Sequence, residues 1–137
     1  MTIKLVENPA LKEEELFLLY DDVNWKRYTS NMKQLLSGLQ SSLYWVGAYD
    51  DANLVGLIRV VGDGHTIVYI QDVLVKRSYH QLGIGTMLFE KVNEKFSQVR
   101  QMVLMSDYIK ENDRFYHKQG FIKGSDYNLV LYVKFND

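Results

Sequence analysis

The stretch SYHQLGIGTMLFEKV, residues 78–92, puts Gly83 and Gly85 one residue apart, between a strand-like apolar run and an amphipathic helix-like run. A strand that passes straight into a helix through glycines can bind an anion. The first helical N–H groups have no partner within the helix, and the aligned peptide dipoles add partial positive charge at that end. Glycines let the chain approach a phosphate with no Cβ in the way. Lys76 and Arg77, just upstream, would add positive charge. The same residues can also be read as a plain left-handed turn before a helix, and two glycines alone do not separate the readings. Two phosphate motifs do not fit. A P-loop needs Gly-Lys-Ser/Thr, whereas Gly85 is followed by Thr86 and Met87. A dinucleotide fingerprint needs a third small residue at position 88, which is leucine, and a place near the start of a βαβ unit rather than after four strands.

The elements that must position this junction are legible from periodicity. TIKLV alternates as a first strand, and PALKEEELFLLYDD opens with Pro9 and then acids, which suits a helix start. WKRYTSNMKQLLSGL reads as a second helix ending near Gly38. LYWVGAYD and DANLVGLIRVV read as a hairpin turning at residues 50–53, and TIVYIQDVLV as a long strand buried on both faces. After the junction, Ile84, Leu88, Val92 and Phe96 recur four apart, the apolar stripe of a helix. QMVLMSD reads as a fifth strand. NDRFYHKQG reads as a short helix, with Asn112 or Asp113 as N-cap and Gly120 as C-cap. FIK and YNLVLYVKF read as two closing strands. The expected order is βααβββαβαββ, an α/β mixed sheet with helices packed on it.

Bulk properties narrow the function. At 137 residues the chain has the length of one domain, 1–137, with 47% apolar and 24% charged residues. A net charge of -1 argues against a nucleic-acid partner. With no cysteine there is no disulfide, thiolate metal site or thiol nucleophile. The first ten residues lack a signal-peptide core and no run approaches a membrane span, so a cytoplasmic protein with no membrane partner is expected.

Two blocks together carry a family resemblance. His80, Gln81, Leu82, Gly83, Ile84 and Gly85, preceded by YIQDVLVKRSY, resemble motif A of the GNAT superfamily of N-acetyltransferases, which runs strand, Arg/Gln-x-x-Gly-x-Gly/Ala, helix. RFYHKQGF, residues 114–121, is similar to the family's FYEKLGF block one strand downstream. The expected element order matches the family over nearly the whole chain. His80 replaces the usual Arg or Gln, and Gln81 replaces a common Gly.

The resemblance implies a GNAT-like fold: a mostly antiparallel sheet, helices on both faces, and a splay between strands four and five. It implies acetyl transfer from acetyl-CoA directly to a primary amine of a small molecule or peptide, with no metal. The pyrophosphate would lie on the amides of Gln81, Leu82, Gly83, Ile84, Gly85 and Thr86, and the pantetheine arm on main-chain groups of Val73 and Val75. A bulge in the fourth strand would open the slot and offer an N–H to the thioester oxygen. Tyr116 matches the tyrosine that assists the departing thiolate. Gln71 stands where several members place a Glu or His base, and it cannot titrate. Asp72 beside it is either that base or a structural carboxylate, since alternation sends neighbours to opposite faces unless a bulge intervenes. Trp25 and Tyr28 lie in the segment that walls the acceptor site in the family, and either stack on the amine or cap the core. His65 reads as a loop residue and His117 as a solvent-facing one. A homodimer would follow family habit. The alternative activity is an acyl-CoA-binding sensor or partner-binding module of the same fold with little catalysis.

Overall fold

The computed structural model describes residues 2–136, which divide between Met105 and Ser106 into two compact units. The first unit is built on a five-stranded sheet: β1 (Ile3–Glu7), β2 (Tyr44–Asp50), β3 (Asn53–Gly62), β4 (Ile67–Val75) and β5 (Gln101–Leu104), in the spatial order β1-β2-β3-β4-β5. Neighbours from β1 to β4 are antiparallel, and β4 and β5 are parallel. A parallel pair cannot be closed by a hairpin, and the connection here is α4 (Ile84–Lys95). Between β1 and β2 lie α1 (Glu13–Asp22), α2 (Lys26–Thr29) and α3 (Met32–Gln40). Among the described residues no helix is long and apolar enough to cross a membrane.

The sheet buries both faces. Leu57 of β3 and Leu74 of β4 pack with Leu16, Leu19 and Tyr20 of α1 and with Leu35 and Leu39 of α3. On the opposite face α4 presents Ile84, Leu88, Phe89 and Val92, each at most 1% exposed. Gly56 of β3 lets that helix come close, since a Cβ there would lie 3.2 Å from Ile84 Cγ2. The turn into β4 is closed by the Asp63 carboxylate, which accepts from the amides of His65, Thr66 and Ile67 at 2.8, 2.8 and 3.1 Å.

Two sequence expectations change in detail. The second helix is not continuous: it breaks at Ser30–Asn31 because the Asn31 side chain caps a new helix, accepting from Gln34 N at 3.2 Å. Gly38, expected near the helix end, lies inside α3, and the space it leaves is occupied by the Arg59 side chain, whose Nη1 would be 3.1 Å from an added Cβ.

In the second unit, α5 (Lys110–Lys118) starts earlier than expected, so Asn112 and Asp113 lie within it rather than capping it, while Gly120 turns the chain at φ 95°. A 3-10 turn spans Gly124–Tyr127 and Asn128 follows with φ 61°. The two closing strands expected at 121–123 and 127–135 are not formed. Leu129, Val130, Leu131, Tyr132 and Val133 are all more than half exposed. Their alternation is that of a strand, but strand propensity acts through cross-strand partners and cannot make a ladder by itself.

Phe89 is fully buried, and a large core truncation of this kind costs about 3–5 kcal/mol. Phe89→Ala is expected to lower the urea-unfolding free energy by that amount, and the Leu82→Ala control, at a position 49% exposed, by under about 0.5 kcal/mol.

Candidate active site

The register of β3 on β4 contains one irregularity. Arg59 pairs with Asp72 and Val60 with Ile70, so Gln71 is the extra residue of a β-bulge. The consequence is visible in the side chains. Gln71 and Asp72 are adjacent in sequence, yet both reach the hydroxyl of Tyr28 on α2: Gln71 Nε2 donates to it at 3.0 Å, and it donates to Asp72 Oδ1 at 2.8 Å. Regular alternation would have sent one of them to the other face. The ladder between β4 and β5 ends at Ile70 and Leu104, while β4 continues to Val75. From Gln71 onward, β4 therefore has no β5 partner. β5 itself ends at Leu104, so the β4 edge opens where the splay was expected, with the bulge at Gln71.

Asp72 is 2% exposed. Its Oδ2 accepts from Arg59 Nε at 2.7 Å and from the Tyr20 hydroxyl at 2.9 Å, and Arg59 Nη2 lies 2.7 Å away. Burial pushes the Tyr20 hydroxyl well above the usual tyrosine value, and the Asp72 charge adds to it. Burial and then Asp72 raise Tyr28 as well. For Arg59, burial is the largest single effect and works against the charge, but Asp72, Tyr20 and Tyr28 together outweigh it and the guanidinium is held more firmly protonated. Both oxygens of Asp72 are thus engaged by buried or partly buried partners. Arg59 is the residue the sequence reading missed. Its signal was a single Arg within the otherwise apolar NLVGLIRVVG, facing the single Asp within IVYIQDVLV.

Trp25 sits at the edge of this cluster, its ring edge-on to Tyr20 at 5.8 Å and tilted to Tyr28 at 6.1 Å, partly buried against the α1–α3 core. The acids nearby are already matched: Asp21 pairs with Lys26 at 2.9 Å, and Asp22 accepts from Arg77 N at 2.8 Å.

At the end of β4 the chain makes a 3-10 turn over Arg77–Tyr79 and enters α4 through Gly83, its N-cap, with φ 82°. Gln81 is also left-handed at φ 64°, a conformation that costs a non-glycine residue roughly 1–2 kcal/mol. The surroundings hold the strained loop in place: the His80 ring bonds the Val75 carbonyl at 2.8 Å, and the Tyr79 hydroxyl donates to Asp50 at 2.6 Å. A Cβ added at Gly83 would meet nothing within 4 Å. The first amides of α4, from Ile84 through Thr86, have no partner in the helix. Val73 and Val75 are partly exposed along the unpaired length of β4.

In the second unit, Tyr116 lies on α5 with its ring edge-on to Phe115 at 5.3 Å and to Phe121 at 6.3 Å. Partial burial pushes its hydroxyl above the usual tyrosine value, Asp107 adds to this, and a hydrogen bond with Ser106 works the other way. His65 is in the turn before β4 and His117 is exposed on α5, as their sequence contexts suggested.

A profile described as an acetyltransferase (GNAT) domain matches residues 40–123. The GNAT-family protein SP0256 of Streptococcus pneumoniae TIGR4 superposes with a TM-score of 0.88 at 32% identity, over 98% of each chain. The chain belongs to the GNAT acetyltransferase family. SA2161 of meticillin-resistant Staphylococcus aureus, described as a probable acetyltransferase, matches at TM-score 0.79 and 27% identity, over 98% of this chain and 100% of that one. The AAC(6')-Iy structure, solved with the bisubstrate analogue CoA-S-monomethyl-acetylneamine, shares the fold at TM-score 0.70 and 15% identity, over 98% of this chain and 99% of that one. No curated protein matches. The bulged β4, its departure from β5 and the glycine entry to α4 therefore belong to a GNAT N-acetyltransferase.

Raised tyrosine values make an alkaline prediction. A neutral hydroxyl favoured by the fold contributes stability that is complete below about pH 10, the unfolded value, and is lost as pH rises toward the folded value. Urea unfolding from pH 8 to 12 is expected to show stability falling above about pH 10. Tyr20→Phe should flatten that fall; an unchanged slope in the variant would place its origin elsewhere.

Proposed function

We propose that the protein transfers the acetyl group of acetyl-CoA to a primary amine of a small molecule or peptide, by direct attack in the slot where β4 leaves β5. The single observation that carries this reading is that slot: a bulge at Gln71, an unpaired β4 edge over residues 71–75, and then the left-handed entry to α4. Main-chain groups of Val73 and Val75 would hold the pantetheine, and the amides of Gln81, Leu82, Gly83, Ile84, Gly85 and Thr86 the pyrophosphate, aided by the helix dipole. The CoA-linked analogue in the AAC(6')-Iy structure supports acetyl-CoA as the donor. The end-to-end match to the SP0256 protein supports a single N-acetyltransferase domain over 1–137.

Chemistry needs a neutral amine, a stabilised oxyanion and a stabilised thiolate. A backbone N–H at the bulge would serve the oxyanion. Water is the base in this reading. Asp72 is buried and saturated by Arg59, Tyr20 and Tyr28, and Gln71 has no titrating proton. Tyr116 assists the departing thiolate by donating a hydrogen bond. A phenol whose affinity for its proton is raised cannot give it up fully to a thiolate whose conjugate acid lies near 8.5. It can still donate a bond that strengthens as charge forms on sulfur. Tyr28 and Gln71 line the acceptor side with Trp25 behind them. The exposed apolar residues 129–133 support a homodimer in which a second copy covers them, and light scattering should then give twice the 16.1 kDa chain mass.

An assay of CoA release over a panel of primary amines tests the whole reading, and no release with any amine would reject it in favour of a CoA-binding module. Gly83→Ala is expected to cost about 1–2 kcal/mol for the left-handed φ of 82° but to leave the domain folded, because no protein atom opposes the new Cβ, yet to abolish acetyl-CoA binding by calorimetry. Wild-type affinity would remove the phosphate assignment. Tyr116→Phe is expected to lower kcat about 10²-fold with little change in acetyl-CoA affinity, since the bond is made mainly in the transition state. A kcat within about twofold of wild type would leave Tyr116 a packing residue.

A further inference from the structure

The hydrogen bonds around Asp72 have a direction, and the direction ends at Gln71. A carboxylate paired with a guanidinium can only accept. The single hydrogen of the Tyr28 hydroxyl is therefore committed to Asp72 Oδ1 at 2.8 Å. What the Tyr28 oxygen has left is lone pairs, and these accept from Gln71 Nε2 at 3.0 Å and face Arg59 Nη2 at 3.4 Å. Turning the amide over would set its carbonyl oxygen against those lone pairs. The Gln71 amide is thus fixed with its NH2 group inward and its carbonyl oxygen, Oε1, outward, on a side chain that is solvent-exposed at the point where β4 leaves β5.

We propose that Oε1 of Gln71 is the recognition atom for the acceptor amine, accepting an N–H from it, and that Arg59, Asp72 and Tyr28 are positioning residues that set this polarity. This rests on the acetyl-transfer reading of the slot and names what that reading leaves open, the protein group that orients the amine. It also assigns Asp72 its part: the carboxylate acts through Tyr28 and Gln71, three hydrogen bonds away from the substrate. An acceptor-only atom selects ligands that present an N–H, so primary and secondary amines satisfy it, whereas a tertiary amine without a proton leaves it unmatched. The bulge is what makes the arrangement possible, because it brings residues 71 and 72 to the same tyrosine.

The test has one arm that needs no turnover. In 15N-resolved spectra of the free protein, the two side-chain amide protons of Gln71, assigned by their absence in Gln71→Met, are expected to be widely separated. They should collapse to the position of an exposed glutamine in Tyr28→Phe. A Gln71 pair already at that position in the wild type, or unmoved by Tyr28→Phe, would overturn the proposed polarity.

The second arm is a double-mutant cycle on the best amine found in the CoA-release panel. Gln71→Met and Tyr28→Phe should each raise the amine KM about five- to tenfold, the range for losing one hydrogen bond to an uncharged donor, with the acetyl-CoA KM unchanged. In the Gln71→Met background, Tyr28→Phe should then change the amine KM by less than twofold. Full additivity, or a Gln71→Met enzyme with wild-type amine KM, would overturn the recognition role. A purely structural role for Tyr28 would move both KM values and would not depend on residue 71. Absence of turnover with every amine, alongside the expected spectra, would instead reject the acetyl-transfer reading, so the two failures are distinguishable.

Discussion

The contact on which the site depends is the buried pair between Asp72 and Arg59 in the middle of the sheet. Two charges removed from water are expensive, and the attraction between them repays that cost only when the remaining hydrogen-bonding capacity is also met. Here it is met completely. Three donors converge on Oδ2 and one on Oδ1, and no buried side-chain nitrogen or oxygen among the described residues lacks a partner. The pair ties four elements together: β3 and β4 supply the charges, α1 supplies Tyr20, and α2 supplies Tyr28. Removing one charge from such a pair typically costs 3–5 kcal/mol, because the other is left buried and uncompensated. The network is therefore more valuable as a constraint on geometry than as a source of net stability.

That constraint explains features that look unrelated. Gly38 interrupts α3 with the least helix-favouring residue short of proline, at a cost near 1 kcal/mol relative to alanine. The reason is steric: the Arg59 guanidinium occupies the volume a Cβ would need. The four-residue α2 would have little stability alone, since short helices cannot offset their nucleation cost. It is held by the Tyr28 hydroxyl in the network and by the packing of Tyr20, Trp25 and Tyr28 rings. The bulge at Gln71 is the pivot. Before it, β4 pairs with both neighbours; after it, β4 keeps only β3, and the freed edge leads to the glycine entry of α4.

The strained loop from 76 to 83 and the bulge at Gln71 are linked through the same strand. His80 is bonded to the last carbonyl of β4, and Asp22 at the end of α1 receives the Arg77 amide. The His80 side chain is thus used here to brace the loop. A rigid, pre-formed entry of this kind lowers the ordering cost of binding a flexible ligand.

The sequence by itself determined the strands β1 to β4, the α4 stripe, the glycine junction and the family, because each is written in local periodicity or in residues adjacent along the chain. It also carried the right condition for Asp72, that only a bulge could bring it to the face of Gln71. It did not decide whether that bulge existed, where it fell, or what Asp72 would meet. Arg59 is thirteen residues away and Tyr20 fifty-two, and such partners are chosen by strand register, which a two-residue period leaves free to slip by one. For the same reason YNLVLYVKF reads as a strand and is not one in the structure. Alternation specifies which side chains share a face, whereas a ladder needs an edge to pair with, and only the tertiary arrangement provides or withholds it.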